Sequence, residues 1–84
     1  MVAKTLYSFM HFTCISDSGK TTVWEIRENK SDYLLGTIRW YSPWRTYCIY
    51  TYDGCIFNTA CLKDILDFIK QLLDDRKNKK KEKK

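Results

Sequence analysis

Residues 61–73 have the sequence CLKDILDFIKQLL, in which apolar side chains recur every three or four positions. The recurring residues are Leu62, Ile65, Leu66, Ile69, Leu72 and Leu73, with Cys61 and Phe68 widening the set. Lysine, aspartate and glutamine occupy the opposite face. This spacing predicts an amphipathic α-helix that begins at a cap on Asn58 or Thr59 and buries one side.

Four segments before this helix are rich in aromatic and β-branched residues and are separated by turn-forming residues. They predict strands over residues 6–15, 21–28, 33–41 and 45–52. On the first strand the more apolar alternate set is Leu6, Ser8, Met10, Phe12 and Cys14, which we expect to face the core. An Asp-Gly turn then precedes residues 55–57, which we count as a potential short fifth strand.

Short connections favour antiparallel neighbours, so the strands are expected to form a meander. The predicted fold class is α+β, with an antiparallel sheet of four to five strands and one C-terminal helix packed on one face, in the order ββββα. A chain of 84 residues has room for one domain, which we place at residues 1–75. The other sheet face stays open, and two strand edges stay unpaired, so a homodimer is one expected assembly.

The net charge of +5 is unevenly distributed along the chain. Residues 76–84 hold seven basic residues and one acidic residue, a net charge of +6, and predict a disordered Lys-rich tail. Residues 1–75 hold eight basic and nine acidic residues, a net charge of −1. A domain that follows phosphates carries its basic residues on the folded surface, so this balance argues against a nucleic-acid-binding body.

Residues that could perform catalysis or bind a metal are few. His11 is the single histidine, and the sequence has no glycine-rich phosphate loop and no nucleophile elbow. The four cysteines form no Cys-x-x-Cys pair, so their spacing favours free thiols over a zinc site. We therefore expect no enzyme, no cofactor and no metal. No apolar run approaches the roughly 20 residues of a membrane span, and no signal-peptide pattern is visible, so the expected compartment is the cytoplasm.

An aromatic and arginine-rich stretch, RWYSPWRTY, surrounds the third predicted turn at residues 39–47. A small domain needs large side chains for its core, so some of these aromatics are core candidates. Tryptophan, tyrosine and arginine are also enriched in binding hot spots, and aromatic rings stack on unpaired bases.

Two hypotheses about binding follow from this stretch. In the first, the open sheet face binds a protein, and its contact residues are Arg39, Tyr41, Trp44, Arg45 and Tyr47. In the second, the chain binds single-stranded nucleic acid, and its contact residues are Trp40, Tyr47, Tyr50, Lys79, Lys80 and Lys81. The near-neutral body favours the first hypothesis.

The stretches LLGTIRWYSPWRTYC at residues 34–48 and FNTACLKDILDFI at residues 57–69 resemble a family of small, functionally uncharacterised proteins of bacteriophages and prophages. That family shares a Leu-Gly-x-Ile-x-Trp-Tyr strand, a Pro-Trp-Arg turn, a Tyr-Cys strand and a Phe-Asn-x-x-Cys-Leu helix start. The resemblance implies a phage or prophage origin and a location in the cytoplasm of a bacterial host. It makes a host protein the expected partner, such as a defence or transcription factor that the chain would inhibit.

The order of four strands and a helix is also similar to the transcription-cofactor-like fold that binds single-stranded DNA. Members of that fold bind through a basic, aromatic sheet surface, and the near-neutral body of this chain departs from that pattern. A shared order of elements does not carry function by itself.

Overall fold

The computed structural model describes residues 4–82, with side chains described for residues 4–77. The elements are β1 (Met10–Asp17), β2 (Thr22–Glu28), β3 (Leu34–Tyr41), β4 (Thr46–Thr51) and α1 (Thr59–Glu82). The strands form one antiparallel sheet in the order β1-β2-β3-β4. The predicted meander with a C-terminal helix is therefore confirmed. Residues 55–57 are not a fifth strand, because the chain leaves the sheet layer there and packs Phe57 against the core.

The N-terminal segment turns back before β1 begins. Tyr7 N donates to Met10 O at 2.9 Å and Phe12 N donates to Thr5 O at 2.9 Å, while Leu6 pairs with His11. This tight turn changes which side chains point inward. Tyr7 is 6% exposed and Leu6 is 66% exposed. Ser8 and Cys14 are exposed too, so only Met10 and Phe12 of the expected inward-facing set belong to the core.

The core lies between the helix and one face of the sheet. Ile26 and Ile38 from the two central strands and Phe68 from α1 are each 0% exposed. The Phe68 ring stacks on Phe12 at 4.0 Å between centroids and meets Trp24 edge-on at 4.9 Å. Burial of these apolar surfaces between the two layers is the main source of stability.

Asn58 caps α1, because its Oδ1 accepts a hydrogen bond of 2.9 Å from Cys61 N. The apolar residues of the helix are buried, partly buried or exposed, and the partly buried ones are Cys61 and Ile69. The buried group is Ile65, Phe68 and Leu72. The exposed leucines are called the leucine stripe below: Leu62, Leu66 and Leu73. The apolar face of α1 is thus wider than the part of it that the sheet covers.

Helical backbone continues past the predicted domain boundary at residue 75 and includes residues 76–82, where the sequence analysis expects a disordered tail. Neither glycine nor proline interrupts this part of the chain, and lysine is a good helix former that also suits a helix C-terminus. The Arg76 guanidinium lies 4.2 Å from the centroid of the Trp40 ring. Arg76 therefore belongs to the folded unit. Residues 83–84 lie outside the described residues.

Tyr7 ties the N-terminal segment to the helix. Its hydroxyl donates to Asp67 Oδ2 at 2.6 Å and accepts from Gln71 Nε2 at 2.9 Å. The same Gln71 side chain exchanges hydrogen bonds with the backbone N and O of Lys4 at 3.0 and 2.9 Å. Burial, followed by the hydrogen bond to Asp67, raises the pKa of Tyr7 well above its ordinary value. The phenol therefore stays a neutral donor.

Replacing Tyr7 with phenylalanine is expected to lower the free energy of unfolding by about 1 kcal/mol, because the ring packing stays and only the hydroxyl bonds are lost. The loss is modest because Asp67 is exposed and water can replace the phenol. Urea unfolding at neutral pH measures it. Tyr52→Phe is the control, since Tyr52 is 47% exposed. Equal stability of Tyr7→Phe and the wild type would contradict this account.

Candidate functional site

The face of the sheet opposite α1 is open and has two halves of different character. In the β2 half, Arg27 donates two hydrogen bonds to Glu25 Oε1, at 3.1 Å from Nε and 3.0 Å from Nη2. Arg27 also donates to the backbone oxygen of Asp32 at 2.9 Å. The charges of this half are matched within the fold, so it offers little to a charged ligand.

His11 has a structural position at the edge of this face. Its Nδ1 lies 2.8 Å from Asn29 Oδ1, and its Nε2 lies 3.3 Å from Asp32 Oδ1. Asn29 in turn donates to Tyr7 O at 2.7 Å. Both ring nitrogens thus have partners that join β1 to the β2–β3 turn.

Trp44 projects from the β3–β4 turn and is 72% exposed. Its ring meets Tyr41 edge-on, with 5.2 Å between centroids and 89° between planes. The turn is closed by Arg45 N donating to Tyr41 O at 2.9 Å, and Arg45 adopts a left-handed φ of 55°. The Trp44 ring is therefore held on a short, hydrogen-bonded turn while most of its surface faces solvent.

Arg39 and Tyr50 extend the same surface along the strands. Thr37 pairs with Tyr50 and Arg39 pairs with Cys48, so Arg39 and Tyr50 are diagonal neighbours on one face. The guanidinium carbon of Arg39 lies 5.6 Å from the centroid of the Tyr50 ring, within the range of a cation–π contact. Tyr50 is 40% exposed.

The surface formed by these residues is called the aromatic–arginine cluster. Its members are Arg39, Tyr41, Trp44 and Tyr50, together with Arg45, which follows Trp44 in the turn and is exposed. Four of them are the predicted protein-contact residues, and Tyr50 comes from the nucleic-acid set. The strand register brings Tyr50 beside Arg39, a pairing that the sequence alone does not predict.

Tyr47 does not belong to this surface. It is 5% exposed on the helix side of the sheet, its hydroxyl accepts from Thr22 N at 3.1 Å, and its ring meets Trp40 at 5.4 Å. Trp40 lies on the same side, because it pairs with Tyr47 in the sheet, and Arg76 covers its ring. Both residues, predicted as ligand contacts, therefore lie on the helix side of the sheet and not on the open face. The side chains of Lys79, Lys80 and Lys81 lie outside the described residues.

The described residues show neither a metal-binding cluster nor a membrane-spanning helix. Between residues 4 and 77, no three histidine, cysteine or carboxylate side chains lie together in a way that could hold a metal ion. The four cysteines are free thiols. No helix in the described part of the chain is long and apolar enough to cross a membrane.

Comparison with known proteins finds a relative in a bacteriophage. The chain is 31% identical over 70 residues to the "Uncharacterized 9.3 kDa protein" of Acholeplasma phage L2. The alignment covers 82% of this chain and 90% of the phage protein. No family model matches, and no solved structure matches.

Proposed function

Because the chain belongs to the same protein family as the 9.3 kDa protein of phage L2, we propose that it is a small, non-catalytic phage-type protein that binds a host protein. The aromatic–arginine cluster is the contact surface. The observation that carries this proposal is the exposed Trp44 ring, held edge-on against Tyr41. A large ring that is already fixed in place loses little conformational entropy on binding, which is why such residues dominate binding energy.

The chemistry of the cluster indicates what kind of protein surface it fits. None of the ion pairs found among residues 4–77 engages Arg39 or Arg45. Both guanidinium groups are therefore able to donate bidentate hydrogen bonds to carboxylates of a partner. A host surface with an apolar pocket for Trp44 and carboxylates beside it is the expected counterpart. Inhibition of a defence or transcription factor is the form of activity that we propose for such a contact.

Replacing Trp44 with alanine is expected to raise the dissociation constant for the host protein about thirtyfold, because a central aromatic anchor contributes roughly 2 kcal/mol. Stability should change by less than about 0.5 kcal/mol, since Trp44 lies outside the core. The partner is first captured from host lysate with the tagged full chain and identified. The purified pair is then measured by titration calorimetry.

Tyr33→Ala is the matched control for this experiment. Tyr33 is an aromatic residue that is 75% exposed and lies before β3, outside the aromatic–arginine cluster. We expect its truncation to leave binding unchanged. An equal loss of stability and of binding in Trp44→Ala would make Trp44 a structural residue and would overturn the proposal.

Single-stranded nucleic acid is the alternative ligand, supported by the exposed Tyr50 ring and by the lysines near the C-terminus. A labelled mixed-sequence oligonucleotide is titrated at low and at physiological salt. It is titrated into the full chain and into a chain that ends at Lys77. This truncation removes five lysines and retains the contact of Arg76 with Trp40.

We expect no binding by the truncated chain, and only weak, salt-sensitive binding by the full chain. Tight binding that survives the truncation would show that the folded surface binds nucleic acid, against the proposal of a protein partner.

A further inference from the structure

We propose that this chain forms a symmetric dimer in which β4 pairs antiparallel with β4 of a second copy and the leucine stripes of the two α1 helices pack together. The aromatic–arginine cluster lies on the other face of the sheet. This proposal therefore stands or falls separately from the proposed host-binding function.

The outer edge of β4 is available for pairing. Tyr52 N donates to Leu35 O at 3.2 Å, which makes Leu35 and Tyr52 a hydrogen-bonded pair of the β3–β4 ladder. Because such pairs alternate along an antiparallel ladder, the backbone groups of Tyr47, Ile49 and Thr51 point away from β3. In the described part of the chain, no other segment pairs with that edge.

The outer edge of β1 is different, because the N-terminal segment partly covers it. Thr5 O accepts from Phe12 N, and Leu6 pairs with His11. Of the two sheet edges, β4 is therefore the one that retains an uninterrupted row of unpaired donors and acceptors. Such an edge is a template for another strand.

The leucine stripe lies on the side of α1 that faces the β4 edge. Gln71 contacts Lys4 and Tyr7 on the β1 side. Leu62 precedes Gln71 by nine residues, or two and a half helical turns, so the two side chains lie on opposite sides of α1. Arg76, three residues after Leu73, packs on Trp40 of β3. The stripe therefore lies on the β3–β4 side of the helix, next to the core residues and farther from β1 than they are.

The leucine stripe exposes a large apolar area to solvent. Leu62, Leu66 and Leu73 are 54%, 53% and 37% exposed. They are spaced by four and seven residues, and Ile69 fills the intermediate position at the margin of the core. This 4-3-4 spacing matches the seam along which two helices pack side by side. A contiguous apolar patch of this kind marks an interaction site.

A second copy fits both features at once. Antiparallel pairing of β4 with itself is an isologous contact, so a twofold axis at β4 places each leucine stripe on the same side of the joined sheet. The strand edge is about 20 Å long, and the sheet and helix layers lie about 10 Å apart. A side wall of this length and two layers deep covers about 400 Å² per partner, which is below the roughly 800 Å² of a standard interface. The main-chain hydrogen bonds between the two β4 edges therefore have to supply part of the affinity.

The charge distribution permits this assembly. The body of residues 1–75 has a net charge of −1, so two bodies do not repel strongly. The twofold axis makes the two α1 helices antiparallel. The C-terminal turns of α1, residues 76–82 with a net charge of +4 in each copy, are then directed to opposite ends of the dimer.

Sedimentation equilibrium of the full chain tests the proposal, from about 5 to about 500 µM. We expect a mass twice the 10.1 kDa of the chain. Two variants address the two parts of the interface. Leu66→Glu places a charge in the leucine stripe, and Thr51→Pro blocks the outer edge without removing a donor to β3. Both residues are exposed, so both variants are expected to fold, as circular dichroism will check.

Each variant is expected to raise the dimer dissociation constant at least about tenfold. Ala60→Glu is the matched control, because it adds the same charge at an exposed helix position away from the stripe and should leave dimerisation unchanged. A mass of 10.1 kDa at every concentration overturns the proposal and leaves the stripe to a different protein. Dimerisation of either variant at the wild-type strength also overturns it, because both surfaces are required.

Discussion

Replacing Phe68 with alanine is expected to lower the free energy of unfolding by about 4 kcal/mol. Phe68 is 0% exposed, stacks on Phe12 at 4.0 Å and meets the edge of Trp24 at 4.9 Å. Truncation leaves a cavity between helix and sheet in which both aromatic partners lose their contacts. Urea unfolding followed by far-UV circular dichroism measures the change.

A loss of this size is decisive for a domain this small. A chain of 84 residues has a total stability of roughly 4–12 kcal/mol, so the variant is expected to be close to unfolded at 37 °C. Phe68→Leu keeps most of the volume and should cost about 1 kcal/mol. Tyr33→Ala removes an aromatic ring that is 75% exposed and should cost less than about 0.5 kcal/mol. A Phe68→Ala variant as stable as Tyr33→Ala would contradict the packing described here.

The central place of Phe68 shows how far the apolar spacing predicts the helix. The spacing identifies α1 and its apolar side, because helical periodicity is a local property of the sequence. It does not identify which part of a broad apolar side the sheet covers. The spacing places Leu66 in the middle of the apolar side and Phe68 at its edge. In the structure Phe68 is buried and Leu66 is exposed. Only the width and position of the sheet make that choice.

The strands follow the same distinction between local and non-local information. Their order was predictable, because short connections join neighbouring antiparallel strands. The predicted first strand begins at residue 6, four residues before β1, because the turn around Ser8 contains neither glycine nor proline to indicate it. A tertiary contact of Tyr7 with α1 holds that turn in place instead.

The candidate site was predictable on β3 and much less so on β4. Alternation along β3 places Arg39 and Tyr41 together on one face, as the sequence analysis expects. The faces of β4 depend on the turn before it, in which Arg45 adopts a positive φ. A change of one residue in such a turn reverses every side chain of the following strand. The sequence therefore could not place Tyr47 in the core and Tyr50 beside Arg39.

Replacing Gly36 with valine is expected to lower the free energy of unfolding by about 3 kcal/mol. A Cβ atom at this position would lie 2.6 Å from Tyr50 O and 3.2 Å from Thr51 Cα. Both are backbone atoms of β4 that no rotamer change can move, so β3 and β4 must separate. Valine favours strands by up to about 1 kcal/mol, which is smaller than the cost of the clash. Strand propensity thus predicts a higher free energy of unfolding for Gly36→Val and the close approach predicts a lower one. Urea unfolding distinguishes them.

The same substitution is expected to disturb the candidate site, because the clash falls on the backbone that carries Tyr50. Displacement of β4 moves the Tyr50 ring away from the Arg39 guanidinium, which lies 5.6 Å from it in the wild type. An NMR shift of the Arg39 Nε–H signal, which the ring current of Tyr50 influences, reports that movement. Thr13→Val is the control, since Thr13 is an exposed strand residue, and it should leave both stability and this signal unchanged. If Gly36→Val were as stable as Thr13→Val, β3 and β4 would not approach as closely as described. The register that places Tyr50 beside Arg39 would then be wrong as well.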